Sequence, residues 1–144
     1  MSGRLKPLDR LEGAQRDASS PDHHAALAAS AGTGKTHVLT ARVLRLLLRG
    51  VAPETILCLT FTKAGAAEMA QRIHGRLARW VRLKRAALEL DLENLGEVPA
   101  PPLLELARSL FARVLEAPGG GLRIQTIHAF AQSLLGSFPA EAGL

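Results

Sequence analysis

Apolar residues recur three and four positions apart along much of the chain, and this spacing predicts helices. The pattern is clearest from Lys35 to Arg49, where Gly50 follows as a C-terminal stop. Turn-forming Ser, Pro and Gly residues separate the helical stretches from one another. Further helices are predicted at about residues 9–18, 63–95, 103–115 and 128–135.

Three shorter apolar runs have the length of buried strands. They are Ala25–Ala29, Thr55–Thr60 and Leu122–Thr126, and the first is a weak candidate because alanine dominates it. Strands that alternate with helices favour a parallel sheet with right-handed crossovers. The predicted fold class is therefore α/β.

The first predicted strand leads into a glycine-rich sequence with the spacing of a phosphate-binding loop. Gly32 and Gly34 let the backbone approach phosphate oxygens, and the helix that starts near Lys35 adds positive charge at its N-terminus. Lys35 can reach the β- and γ-phosphates, and Thr36 offers its hydroxyl to Mg²⁺. We expect ATP and Mg²⁺ as cofactors, Lys35 and Thr36 as catalytic residues, and a phosphate cradle made of Ala29, Ser30, Ala31, Gly32, Thr33, Gly34, Lys35 and Thr36.

The composition is that of an ordinary globular domain, since hydrophobic residues make up 47% of the 144 residues and charged residues 22%. A net charge of +5 favours an anionic partner without identifying it. The single cysteine, Cys58, excludes an internal disulfide, and the pair His23–His24 lacks the further ligands that a metal site needs. No segment has the pattern of a signal peptide or a membrane span, so we expect a soluble cytoplasmic protein.

Two further motifs follow predicted strands, at the positions where parallel sheets bind ligands. Thr60–Met69 closes the second strand and Gln125–Phe130 closes the third. Both resemble motifs that follow the phosphate loop in UvrD/Rep-like superfamily 1 DNA helicases. Gln15 lies where that family places a glutamine that hydrogen-bonds the edge of adenine. The details resemble the AddA-type, RecB-like helicase–nuclease proteins, although Gly65 stands where their pattern usually has alanine.

This resemblance implies a partial RecA-like phosphate-loop NTPase domain with a parallel sheet and a helical insertion at about residues 80–120. Residues 1–144 are then expected to form the N-terminal part of the helicase ATP-binding domain (1A), a fragment without the rest of the enzyme. The intact protein would be an ATP-dependent DNA helicase that hydrolyses ATP, a helicase/exonuclease subunit that acts in recombination and double-strand-break repair. Its expected partners are single-stranded DNA, duplex DNA ends and a second, AddB-like subunit, with no membrane.

The same resemblance implies contacts to DNA at the two strand ends, through Thr60, Phe61, Thr62, Lys63, Thr126 and His128. Threonine hydroxyls bind phosphates without reading the base sequence, and the face of Phe61 offers a platform on which a base stacks. Two alternatives remain open at these positions. Phe61 could be a core side chain at the end of a strand, and His128 could cap its own helix.

Basic residues recur between positions 72 and 85 and would form an electrostatic track for a DNA strand, with a solvated helix face as the alternative. The set comprises Arg72, Arg76, Arg79, Arg82, Lys84 and Arg85. Trp80, within the same stretch, is predicted to lie in the core. The alternating acids that follow, Glu89, Asp91 and Glu93, fit an exposed helix.

The resembled enzymes also need an Asp-Glu pair on a strand, which holds Mg²⁺ and orients the attacking water, and this chain contains no Asp-Glu dipeptide. We therefore expect the fragment alone to bind ATP–Mg²⁺ and single-stranded DNA without turnover. One alternative is a small phosphate-loop phosphotransferase, which would leave Thr60–Met69 and Gln125–Phe130 unexplained. The other is a non-catalytic nucleic-acid-binding module, whose binding to a strand would be insensitive to ATP.

Overall fold

The computed structural model describes residues 6–21 and 35–137 of the chain. The predicted strand Ala25–Ala29 and most of the predicted phosphate loop, Ala29–Gly34, lie outside the described residues. The described elements, in chain order, are α1 (Gly13–Ser19), α2 (Lys35–Leu48), β1 (Leu57–Thr60), α3 (Lys63–Arg82), α4 (Arg85–Asn94), α5 (Pro101–Glu116), β2 (Arg123–Thr126) and α6 (Ile127–Ser137), with 3₁₀ turns at Pro53–Thr55 and Pro118–Gly120.

Strands β1 and β2 form a parallel pair, in which Leu57 lies opposite Arg123 and Thr60 lies opposite Thr126. The connection between them is the long helical stretch α3–α5, as parallel pairing requires. Helices thus flank a small parallel sheet within the described residues, which confirms the predicted α/β class and agrees with a partial phosphate-loop domain.

The single helix predicted over residues 63–95 is wrong, because the structure divides it into α3 and α4. Leu83 and Lys84 are both extended, with ψ angles of 141° and 152°. Arg108 of α5 donates to the carbonyl oxygens of Trp80 and Leu83 at 2.9 and 2.8 Å, so it satisfies acceptors that the end of α3 leaves open. The break therefore depends on a partner 25 residues away in the chain, and no Gly or Pro marks it in the sequence.

The helix predicted at residues 9–18 begins later, at Gly13. The residues before it hydrogen-bond to α4 instead of to each other: the backbone N–H of Leu11 donates to the carbonyl of Asn94 at 3.1 Å. A long-range partner for this backbone replaces the first turn of the expected helix.

The apolar core lies mainly between α3, α4 and α5, with α2 beside them. Its fully buried members include Ile73, Leu77, Trp80, Leu88 and Leu92. The prediction that Trp80 belongs to the core is confirmed. No helix in the described part of the chain is both long and apolar enough to cross a membrane.

Candidate functional site

The two sequence motifs meet at one end of the sheet. Thr60 ends β1, Thr126 ends β2, and the two residues are register partners on adjacent strands. Helix α3 begins at Lys63 and helix α6 at Ile127, so both start at this same end. We call the surface formed by Thr60–Lys63 and Thr126–His128 the strand-end surface.

Three threonine hydroxyls of this surface have defined hydrogen bonds. The hydroxyl of Thr60 donates to the carbonyl of Thr62 at 3.0 Å. The hydroxyl oxygen of Thr62 accepts from the N–H of Gly65 at 3.0 Å, and that of Thr126 accepts from the N–H of Ala129 at 3.1 Å. A hydroxyl has one hydrogen to donate, so Thr62 and Thr126 keep theirs for an anion whereas Thr60 has already used its own.

The hydroxyl oxygens of Thr62 and Thr126 also cap the N-termini of α3 and α6. Neither α3 nor α6 has an acidic residue in its first turn, so the partial positive charge of each helix N-terminus is uncompensated there. Two helix N-termini with free hydroxyl donors make the strand-end surface suitable for phosphate groups.

Phe61 is 87% exposed, which rules out the alternative that it is a core side chain in the described structure. His128 is also exposed, and the first turn of α6 is capped by Thr126 rather than by His128. The alternative role of His128 as a helix cap is therefore wrong. Lys63 lies exposed at the start of α3, beside Phe61.

Acidic neighbours neutralise half of the six residues of the predicted basic track. Arg72 pairs with Glu68 at 2.7 Å, and Arg85 pairs with Glu89 at 2.8 Å. Arg76 is mostly withdrawn from solvent and pairs with the buried Asp91. Arg79, Arg82 and Lys84 have no ion pair within the described residues. The solvated helix face thus describes this stretch better than a continuous track does.

Helix α2 begins at Lys35, where the sequence predicts that a helix follows the phosphate loop. Thr36 lies in the first turn and is half-buried. Gln15 is exposed on α1. The end of α1 contacts α2, because Arg42 donates to the carbonyl oxygens of Ala18 and Ser20. The roles predicted for these residues in nucleotide binding are not tested by this geometry and stay predictions.

A polar cavity of about 320 Å³ opens beside the first two turns of α2. It lies between α2, α3 and the segment of residues 6–9, and we call it the α2–α3 cavity. Its lining residues are Lys6, Pro7, Leu8, Asp9, His37, Thr40, Gln71, Arg72, Gly75, Arg76 and Arg79. Gln15 does not line it.

Two residues that line the α2–α3 cavity each carry a buried polar atom without a hydrogen-bond partner in the described part of the chain. They are Nε2 of His37 and Oγ1 of Thr40, and Thr40 is only 6% exposed. An unpaired buried polar group is costly, so this wall of the cavity holds polar groups that the described residues leave unsatisfied. Neither residue was predicted from the sequence, although their spacing of three places both side chains on one face of α2.

Across residues 6–21 and 35–137, no three or more His, Cys, Asp or Glu side chains cluster as a metal site. The pair His23–His24 lies outside the described residues.

Comparison with known proteins identifies a family. Residues 11–144 match the UvrD/REP helicase N-terminal domain. An ATP-dependent helicase/nuclease subunit from Latilactobacillus sakei is 36% identical over 116 residues, which cover 81% of this chain and 11% of that protein. Proteins of the same name from Lactobacillus helveticus and Pediococcus pentosaceus are 47% and 28% identical, over 54% and 83% of this chain and 7% and 8% of their own lengths.

The chain thus spans about a tenth or less of the length of these curated relatives. No solved structure is significantly similar to it.

Proposed function

This chain belongs to the UvrD/REP helicase N-terminal domain family, and we propose that it is the ATP-binding portion of a DNA helicase motor of the helicase/nuclease type. The observation that carries the proposal is the start of α2 at Lys35, directly after a sequence with phosphate-loop spacing. On this proposal residues 1–144 are the N-terminal part of the ATP-binding domain, and residues 80–120 are a helical insertion within it.

The nucleotide's phosphates would lie at the N-terminus of α2. Backbone N–H groups of Ala29–Gly34 would cradle them, the Lys35 ammonium would contact the β- and γ-phosphates, and the Thr36 hydroxyl would hold Mg²⁺. The bound Mg²⁺ supplies charge neutralisation between the β- and γ-phosphates. These roles rest on the loop sequence and on the position of the helix.

The α2–α3 cavity supports a place for the nucleoside half of the ligand. It adjoins the first two turns of the helix that would bind the phosphates, and polar and charged residues such as Asp9, Gln71 and Arg76 line it beside His37 and Thr40. Ribose and adenine carry several donors and acceptors that such lining residues can bind. A contact between Gln15 and the adenine edge remains a separate proposal, since Gln15 lies outside the cavity lining.

Single-stranded DNA would bind at the strand-end surface. The free hydroxyl hydrogens of Thr62 and Thr126 and the ammonium of Lys63 would contact phosphates, while Thr60 would hold the loop through its bond to the Thr62 carbonyl. The exposed ring of Phe61 would stack on a base, and the exposed His128 would contact the same strand. This surface reads backbone and base shape, so we expect little sequence preference.

In the whole protein, a helicase/exonuclease subunit, ATP hydrolysis would drive movement along DNA and unwinding of duplex ends, in recombination and repair together with a second protein chain. The relatives' printed name, which describes an ATP-dependent helicase/nuclease, supports this wider role. The 144-residue chain has no Asp-Glu pair to orient the attacking water, so we expect it to bind ATP without turnover. Turnover near the roughly 10 s⁻¹ typical of enzymes would contradict this expectation.

The decisive experiment compares three lysine variants by calorimetry with ATP–Mg²⁺ and by fluorescence anisotropy with a single-stranded oligonucleotide. Lys35→Ala is expected to abolish nucleotide binding and leave strand binding intact, because the ammonium would neutralise the terminal phosphates. Lys63→Ala is expected to do the reverse, and to lower the salt dependence of strand binding by about one counterion. Lys84→Ala, an exposed lysine between α3 and α4, serves as the matched control for both. Equal ATP affinity in the Lys35→Ala and unaltered chains would overturn the proposal.

A further inference from the structure

Asp91 is the most deeply buried acidic residue of the described chain, at 1% exposure. The expectation that the acids of α4 lie on an exposed face is therefore wrong for this residue. Its carboxylate accepts three hydrogen bonds: from the backbone N–H of Leu8 at 2.9 Å, from Nε1 of Trp80 at 3.0 Å and from Nη1 of Arg76 at 3.1 Å. Three donors, one of them cationic, offset the cost of burying a carboxylate.

These bonds fasten the segment of residues 6–11 to α3 and α4. Besides the Leu8 N–H, the Leu8 carbonyl accepts from Nδ2 of Asn94 at 2.8 Å, and the Leu11 N–H donates to the Asn94 carbonyl at 3.1 Å. Arg76 also donates to the carbonyl of Lys6 at 3.1 Å. Asp91 and Asn94, one turn apart on α4, thus hold Leu8 and Leu11, while Arg76, itself bonded to Asp91, holds Lys6.

The fastened segment is one wall of the α2–α3 cavity. Lys6, Pro7, Leu8 and Asp9 line the cavity opposite His37 and Thr40, whereas no residue of α4 lines it. Helix α4 therefore touches the back of the wall and not the cavity itself. Any ligand group in the cavity meets a wall whose position is set from behind by Asp91.

A second set of contacts connects Glu97, just after α4, with α2 and α1. Glu97 pairs with the buried Arg45 of α2 at 2.8 Å. Arg45 also donates to the Ser19 hydroxyl at 2.9 Å and to the Arg16 carbonyl at 3.2 Å. Leu8 and Leu11 are thus held directly against α4, and the end of α1 is linked to Glu97 through Arg45.

We propose that Asp91 is a positioning residue for the nucleoside half of the nucleotide, acting through residues 6–9. The proposal rests on the proposed nucleotide site and deepens it. The helical insertion becomes a part of the nucleotide site, because it fixes the wall that the base and ribose meet. A stability role alone would weaken every ligand equally, whereas a positioning role weakens only ligands that reach the wall.

The test uses two ligands, ATP–Mg²⁺ and inorganic tripolyphosphate–Mg²⁺, measured by calorimetry on the full chain. In Asp91→Asn the side chain keeps its size, but an amide N–H₂ replaces an acceptor that faces Trp80 and Arg76. We expect the affinity for ATP to fall roughly five-fold or more, as for other networks that couple separate sites. The affinity for tripolyphosphate stays unchanged.

Two more variants keep the test sharp. Asn94→Ala removes one bond to the Leu8 carbonyl from a half-buried position, and we expect the same selective loss, smaller in size. Glu89→Gln, on the same helix but paired with Arg85 at the surface, serves as the control and leaves both affinities unchanged. Hydrogen exchange supplies a readout without ligand: the Leu8 amide exchanges faster in Asp91→Asn while the Leu77 amide in the core does not.

Each other outcome overturns the proposal in a distinguishable way. Equal loss of both ligands in Asp91→Asn, or unchanged ATP affinity, shows that Asp91 does not position the wall. Unchanged exchange at Leu8 shows that the segment is held by other contacts. If the unaltered chain binds neither ligand, the proposed function itself fails, and if it binds both equally, the α2–α3 cavity does not take the nucleoside.

Discussion

Helix α3 belongs to two regions of the molecule that differ in almost every physical respect. One face of its second half, with Ile73, Leu77 and Trp80, is buried in the core formed with α4 and α5. Its first turn, after Thr62, forms part of the strand-end surface, where Phe61 and Lys63 are exposed. One helix thus fixes the position of candidate binding residues at one end by burying the other end.

The contrast separates residues that stabilise the fold from residues that are only exposed on its surface. A buried aromatic side chain contributes to stability through the area it removes from water, and Trp80 in addition donates to Asp91. Phe61 gains almost nothing from folding at 87% exposure. Helix α6, none of whose described side chains is buried, extends this exposed region beyond Thr126. An exposed aromatic at a helix N-terminus is expected for a binding surface rather than for a core.

The largest expected effect is a difference in the free energy of unfolding between variants of the two regions. Trp80→Ala should lower the free energy of unfolding by about 3–5 kcal/mol, because it empties a core site and leaves the Asp91 carboxylate without one donor. Phe61→Ala should change it by no more than about 0.5 kcal/mol, since the ring is already in water. Urea unfolding of the two variants beside the unaltered chain measures both values. A loss above about 1 kcal/mol in Phe61→Ala would show that the ring packs in solution.

Most of the regular elements could be predicted from the sequence, because their signals are local. The start of α2, the parallel strands and the two motif-bearing strand ends follow from hydrophobic periodicity, and each is where the sequence predicts it. The division at Leu83 and the burial of Asp91 could not be predicted. Both depend on partners far along the chain, Arg108 in one case and Leu8 in the other, and periodicity carries no information about such pairs.

The candidate site likewise has features that the sequence predicts and features that it does not. The strand-end residues were predicted from their motifs, and the structure brings Thr60 and Thr126 together. The motif sequence does not show that the Thr60 hydroxyl is already used within its own loop, because that depends on the local backbone path. The cavity at His37 and Thr40 was missed because its opposite wall comes from residues 6–9, whose course is set by α4.

The next prediction tests whether Cys58, in strand β1, is shielded from solvent. Burial raises the pKa of the Cys58 thiol from its ordinary value of 9.0 to about 11. At pH 8 the thiolate fraction of Cys58 should therefore be roughly a hundred-fold smaller than in the unfolded chain, and alkylation slower by at least that factor. Mass spectrometry with and without denaturant gives the ratio cleanly, since Cys58 is the only cysteine.

The sign of the linked stability change follows from the same shift. Folding favours the neutral thiol, so this stabilisation is fully present below pH 9.0 and is lost as the pH rises towards about 11. Alkylation of Cys58 in the folded chain at the rate of the unfolded chain would mean that β1 is open to solvent.

A smaller effect is expected in the exposed region, on the affinity for single-stranded DNA. Phe61→Ala is expected to weaken single-stranded DNA binding by about 1–3 kcal/mol, the usual contribution of one stacked base. Leu115→Ala removes an exposed apolar side chain from α5, outside both motifs, and should leave the affinity unchanged. Fluorescence anisotropy at a fixed salt concentration measures both variants. Equal small losses would mean that Phe61 contributes only general apolar surface.

The smallest expected effect lies where the two regions join, in the first turn of α3. Alanine at position 65 would gain up to about 1 kcal/mol of helix preference over glycine. An added Cβ there would lie 3.1 Å from Oγ1 of Thr62, which is closer than ordinary contact, so the Thr62 side chain must shift by a few tenths of an ångström. We therefore expect Gly65→Ala to stabilise the fold by less than the full amount and to weaken strand binding slightly. Gly75→Ala, on the same helix with no atom within 4 Å of the added Cβ, should give the full gain. Equal stabilisation by both variants, with unchanged strand affinity, would show that Thr62 accommodates alanine freely and that its hydroxyl position does not limit binding.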